Sequence, residues 1–126
     1  MRLGMLCGPA TLAVEVPDST LVLATRPAPA LADPAAAVAE ALARPIASPP
    51  LLEVARGRRD ACVVISDITR PVPNQIILPP LLAILEQAGI PREKITILVA
   101  TGMHRPNQGA ELESMVGRWV MDNYRI

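Results

Sequence analysis

Aromatic residues are nearly absent from this sequence: Trp119 and Tyr124 are the whole complement, with no phenylalanine in 126 residues. Nucleic-acid bases would have little to stack on. The 12 basic and 12 acidic residues cancel to a formal net charge of +0, so no electrostatic footprint exists for nucleic acid or an anionic membrane surface. Cysteine is confined to Cys7 and Cys62, two residues in different settings that make no disulfide framework; a reducing cytoplasm is the compartment this implies. Cys62 lies within an apolar run, where a free thiol is expected to act as a small hydrophobe. One histidine, His104, and two separated cysteines offer no metal site of ordinary spacing. Glycine-rich phosphate loops and the G-x-S-x-G element are also missing. No apolar stretch reaches the roughly 18 residues that span a bilayer. Met1 to Val16 carries one basic residue, Arg2, and is interrupted by Gly4, Gly8 and Pro9, too weak a pattern for a signal peptide. A soluble chain is expected.

What is present is a globular composition, with 51% hydrophobic residues, in a chain long enough for one domain. Thr11 to Val16 and Leu21 to Thr25 are β-rich runs around Pro17-Asp18-Ser19 and are expected to pair as an antiparallel hairpin. Arg26 to Leu31 is a Pro/Ala connection. Asp33-Pro34 supplies an N-cap acceptor followed by proline at the first helical position, predicting a helix over 35–44 that Pro45 ends. Ser48-Pro49 repeats that signal for a short helix through Ala55, closed by Gly57. Arg56, Arg58 and Arg59 suit a solvated helix C-terminus.

The informative part starts at Asp60. Ala61-Cys62-Val63-Val64-Ile65 and Ile95-Thr96-Ile97-Leu98-Val99 are continuous apolar runs, the pattern of strands buried on both faces. A polar loop, Ser66 to Asn74, follows the first, and Thr101 to Pro106 follows the second. Between them Gln75 to Gln87 has helical spacing, with Pro79-Pro80 predicting either a kink or a helix that begins at Pro79. Gly109 to Gly117 reads as a helix, and Val120 to Ile126 as the start of a further strand. The order strand, loop, helix, strand, loop, helix is that of a βαβ unit, so the expected fold is α/β, a Rossmann-like parallel sheet with an N-terminal β-hairpin. Both loops then leave the carboxyl edge of the sheet, where such folds bind ligands. Asp67, Thr69, Arg70 and His104 would converge there.

Arg70 offers a planar fork of donors for a carboxylate or phosphate. Asp67 could orient that guanidinium or accept from a ligand hydroxyl. Thr69 and the loop's N–H groups, near a helix N-terminus, could hold a phosphate. His104 suits proton transfer near neutral pH. The alternatives are that Asp67 only closes an Asx turn and that Arg70 is a surface ion-pair partner.

Ser66-Asp67-Ile68-Thr69-Arg70-Pro71, together with Thr101-Gly102-Met103-His104-Arg105-Pro106, resembles the N-terminal domain of the nickel-pincer-nucleotide lactate racemases. The approach through Asp33-Pro34 and Pro45-Ile46-Ala47-Ser48-Pro49-Pro50-Leu51 is similar too, so the likeness covers nearly the whole chain. The resemblance implies a racemase or epimerase of a small 2-hydroxy acid. A histidine would take the hydroxyl proton while the Cα hydride moves to the cofactor, and hydride return to the other face would invert the centre. It implies that His104 is one of two acid–base histidines, that Arg70 holds substrate, and that Asp67, Ile68, Thr69 and Arg70 form the loop contacting the cofactor. No metal ligand is implied within the chain. The family's second histidine, its cofactor-tethering lysine and its nickel-ligand histidine have no counterpart here. Lys94, the sole lysine, does not stand at the matching motif position. Residues 1–126 are therefore expected to be an incomplete N-terminal α/β domain of a larger two-domain enzyme, inactive alone and able to self-associate through an open sheet edge. The alternative is a non-catalytic anion- or nucleotide-binding module that uses the same loops.

Overall fold

A hairpin does form near the N-terminus, but earlier in the chain than the turn signal at Pro17-Asp18-Ser19 suggests. The computed structural model describes residues 1–8 and 10–126. The chain divides into two units, Met1–Ala30 and Leu31–Ile126. In the first unit, β1 (Arg2–Cys7) pairs antiparallel with β2 (Ala10–Glu15), in register from Arg2 opposite Glu15 to Cys7 opposite Ala10. Gly8, at φ +59°, supplies the left-handed backbone that so tight a connection needs. Gly4 stands opposite Ala13, and a Cβ there would approach the Thr11 methyl to 2.9 Å. These two glycines belong to the hairpin rather than simply breaking an apolar run. Leu21–Thr25 forms no strand. After Glu15 the chain turns at Pro17, whose carbonyl accepts from Thr20 N–H, and the partner that β2 was expected to find in Leu21–Thr25 is β1 instead.

The second unit carries the core. Asp33 caps α1 (Pro34–Ala43) by accepting from Ala36 N–H at 2.9 Å, with Pro34 at the first position. The next helix, α2 (Leu51–Ala55), has Pro50 at its N-cap instead of Ser48, whose hydroxyl donates to the Pro49 carbonyl. Then come β3 (Ala61–Ser66), α3 (Asn74–Gln87), a 3₁₀ turn (Arg92–Lys94), β4 (Ile95–Ala100), α4 (Gly109–Val116) and α5 (Arg118–Asn123). The strands β3 and β4 are parallel neighbours, with Ala61 beside Ile95 and Ser66 beside Ala100. This is the βαβ unit, with α3 as its crossover.

Three expectations are corrected within this unit. α3 does not start at Pro79: it begins at Asn74 and continues through both prolines. The N–H groups that Pro79 and Pro80 lack would have reached the carbonyls of Gln75 and Ile76, which are exposed residues open to water. Leu78, Leu82 and Leu85 keep one buried stripe across the interruption. The segment expected as a strand from Val120 is instead mostly α5, because Val116, Val120 and Tyr124, spaced by four, are all buried. Only Arg125 pairs with the sheet, parallel to Thr96, its carbonyl accepting from Ile97 N–H at 2.8 Å.

The third correction concerns burial. Ile65, Ile95 and Ile97 join Leu78, Leu82, Leu85, Met115, Val116 and Val120 in a single core, but the alternate residues do not. Val64 is 61% exposed, Leu98 is 51% exposed, and Cys62 is open to solvent. The continuous apolar runs are those of doubly covered strands, yet among the described residues of this unit one face of the sheet has no layer on it. Among the described residues no helix is long and apolar enough to cross a membrane.

Candidate functional site

Because Ser66 and Ala100 lie side by side at the ends of parallel strands, the chain leaves both strands at one edge. Asp67 is the first residue out of β3, and it is 5% exposed. Its carbonyl accepts from Arg70 N–H at 3.2 Å, closing a turn. Its Oδ1 accepts from the Thr69 hydroxyl at 2.6 Å and from Thr69 N–H at 3.3 Å. From the other loop, His104 Nδ1 lies 2.5 Å from Asp67 Oδ2. A turn in which Thr101 carbonyl accepts from His104 N–H at 2.9 Å, with Gly102 at φ +58°, presents the histidine. The Thr69 hydroxyl and then His104 hold the Asp67 carboxyl below the usual carboxylate range, against the opposing effect of burial. The His104 side chain stays 56% exposed.

A second set of contacts fixes the two loops together. Asn107 is buried; its Oδ1 accepts from Ile68 N–H at 3.4 Å, and its Nδ2 donates to Glu111 at 2.8 Å. Arg105 donates through both terminal nitrogens to Glu111, each at 2.7 Å, a bidentate pair. Arg105 first, then Asn107, lower the Glu111 carboxyl to about 2. Sequence reasoning missed Asn107 and Glu111. The signal was an amide just ahead of a helix start and a glutamate in its first turn, four residues apart.

Arg70 stands apart from the aspartate–histidine contact. Its guanidinium has no ion-pair partner among the described residues. It lines a cleft of about 370 Å³ with Asp67, Ile68, Asn74, Gln75 and Ser114, at the N-terminus of α3. The expectation that Asp67 orients Arg70 is therefore corrected. The aspartate's oxygens are engaged by Thr69 and His104, and the Thr69 hydroxyl is turned inward to that aspartate. Ile68 is exposed and contributes its N–H to the inter-loop contact. Asp67, Thr69 and His104 are thus brought together, with Arg70 on the adjoining cleft.

An aspartate–histidine pair and an arginine stand at the carboxyl ends of parallel strands in an α/β domain whose two strand-end loops share one edge, the edge where such folds bind ligands. Comparison with known proteins narrows this further. The chain belongs to the lactate racemase N-terminal domain family, whose profile matches residues 7–126. It is 44% identical to the lactate racemase of Lactiplantibacillus plantarum over 89 residues, 71% of this chain and 21% of that protein. Identity to the lactate racemase of Thermoanaerobacterium thermosaccharolyticum is 35% over 86 residues, 68% of this chain and 20% of that one. The solved structure of the lactate racemase apoprotein from Thermoanaerobacterium thermosaccharolyticum superposes with a TM-score of 0.76 at 28% identity, covering 99% of this chain and 29% of its own. The chain spans about a fifth of the length of the curated relatives it matches.

Proposed function

We propose that this chain is the N-terminal portion of a lactate racemase-like enzyme that interconverts the configurations of a small 2-hydroxy acid. The observation carrying the proposal is the exposed His104 ring held against buried Asp67, with an arginine that makes no ion pair among the described residues on the next cleft. In this reading His104 takes the substrate's hydroxyl proton and returns it. Arg70 binds the substrate carboxylate as a two-pronged donor. The buried loop contacts through Asn107 keep the two groups at a fixed separation.

A nickel-pincer nucleotide belongs to the same proposal and fits this chain in part. A phosphate suits the Arg70 cleft at the N-terminus of α3, where the Asn74, Ile76 and Ile77 N–H groups are taken by the Val72 and Pro73 carbonyls and the Gln75 N–H is left to a ligand. Among the described residues no group of three or more His, Cys, Asp or Glu could hold a metal ion, so nickel ligands and the tether would come from outside this chain. When bound, that group supplies the acceptor and donor of the Cα hydride. The 67–70 loop, Asp67, Ile68, Thr69 and Arg70, would hold its nucleotide part through its backbone and the Arg70 side chain, and His104 would manage the proton. The chain alone is then inactive. A cytoplasmic setting, suggested by two exposed free thiols, and self-association through the open sheet edge form part of the same reading.

A second reading has one observation in its favour: His104 does not line the Arg70 cleft. A non-catalytic anion- or nucleotide-binding module would use Arg70 and ignore the histidine. Titration of the ¹⁵N-labelled chain with lactate, and separately with inorganic phosphate, tests the choice. The racemase reading expects lactate to move both the Arg70 guanidinium and His104 ring signals, with the His104 effect lost in Arg70→Ala. Phosphate shifts at Arg70 with lactate inert at His104 would favour the module.

A further inference from the structure

We infer that Asp67 is the positioning residue of His104, fixing the neutral ring with its proton on Nδ1 and its Nε2 lone pair outward. The inference rests on the reading of His104 as the proton-transferring group, and it assigns Asp67 a task other than cofactor contact. The two residues differ sharply in accessibility. The Asp67 side chain is 6% exposed and that of His104 56%, so a ligand reaches the ring but not the carboxylate behind it.

The donor and acceptor inventory decides the tautomer. Both donors that reach Asp67 Oδ1, the Thr69 hydroxyl and the Thr69 N–H, require an acceptor there. An ionised carboxylate is an acceptor at its other oxygen as well. The 2.5 Å contact from Asp67 Oδ2 to His104 Nδ1 therefore asks the ring for a proton on Nδ1. The other nitrogen is left bare, as a proton acceptor for a substrate hydroxyl must be. Glu111, a second acidic group near Asp67, is committed to Arg105 and Asn107 and does not compete for the ring. A carboxylate behind a histidine also stabilises the imidazolium that forms once the proton is taken.

The same inventory predicts what an amide would do. In Asp67→Asn the two Thr69 donors keep the amide oxygen on their side, which turns the amide NH₂ toward the ring. Nδ1 must then accept, and the proton moves to Nε2.

Long-range ¹⁵N–¹H spectra of the imidazole in the full chain, taken at about pH 9 where an ordinary histidine is neutral, read the tautomer directly. The expected result is protonated Nδ1 and bare Nε2 in the wild type, exchanged in Asp67→Asn. In Thr69→Val the wild-type form persists, because Asp67 remains an acceptor. A wild-type ring in the Nε2–H form, or in a solvent-like mixture of the two, overturns the inference whether or not the variants fold. An unchanged pattern in folded Asp67→Asn does the same. None of these readouts needs turnover. A fixed Nδ1–H ring with no lactate effect would sink the racemase reading alone, and lactate binding with an unfixed ring would sink the positioning role alone.

Discussion

Ile97 and Leu98 are neighbours on β4 with side chains on opposite faces of the sheet, and their truncation should have very different consequences. Ile97 is 1% exposed within the core, whereas Leu98 is 51% exposed. Either change to alanine removes three carbons, worth about 2.4 kcal/mol of transfer free energy at about 0.8 kcal/mol each when fully buried. Ile97→Ala also leaves a cavity in the core it shares with Leu78, Leu82 and Val116, which brings the expected loss to about 3 to 4 kcal/mol. Leu98→Ala loses only the covered half of its surface and leaves no closed cavity, so about 1 kcal/mol is expected. Urea unfolding followed by circular dichroism separates the two. With a slope of about 1.5 kcal/mol per molar, the midpoint should fall by about 2 M for Ile97→Ala and by under about 0.8 M for Leu98→Ala. Equal losses would refute the one-sided sheet and show that Leu98 is covered in solution, as self-association would cover it.

Other expectations follow from the ion pairs and the site. Glu111 has its folded-state carboxyl depressed to about 2 from an ordinary 4.5. Its contribution to stability is therefore complete above about pH 4.5 and is lost as the pH falls toward 2; thermal unfolding across that window should show a flatter acid slope in Glu111→Gln than in the wild type. Arg92 donates to both Glu86 oxygens and to Asn123, and lies over the rings of Trp119 and Tyr124. Arg92→Ala should loosen the C-terminal segment, so hydrogen exchange at Ile97 N–H, bonded to the Arg125 carbonyl, should quicken more than at Leu82. The isolated chain supplied with nickel cofactor should interconvert no lactate above a His104→Ala control, as polarimetry or chiral chromatography can establish.

Much of the ligand edge was legible because its signals are local. Ala61–Ile65 and Ile95–Val99 read as strands because they are short continuous apolar runs, and the loops after them had to share an edge once the strands were parallel. The histidine and the aspartate could thus be placed together before their contact was seen. Their pairing was not legible: Asp67 had Arg70 three residues away as an equally plausible partner, and only the turn geometry directs its oxygens to Thr69 and His104. Asn107 and Glu111 escaped notice because buried polar scaffolding resembles ordinary helix-start chemistry. The hairpin was misplaced because Pro17-Asp18-Ser19 is a stronger turn signal by composition than the connection at Gly8, which works through its backbone angle. Apolar runs also predicted cover on both faces of the sheet, since sequence records which residues want burial and not which layer supplies it.

The most direct test of the account joins this chain to the remainder of the Lactiplantibacillus plantarum racemase, in place of that protein's own N-terminal segment, and follows L- to D-lactate conversion with nickel cofactor present. The account predicts turnover that falls by about 10²-fold or more in His104→Ala and an increased KM in Arg70→Lys. Turnover that is undiminished by His104→Ala would contradict it.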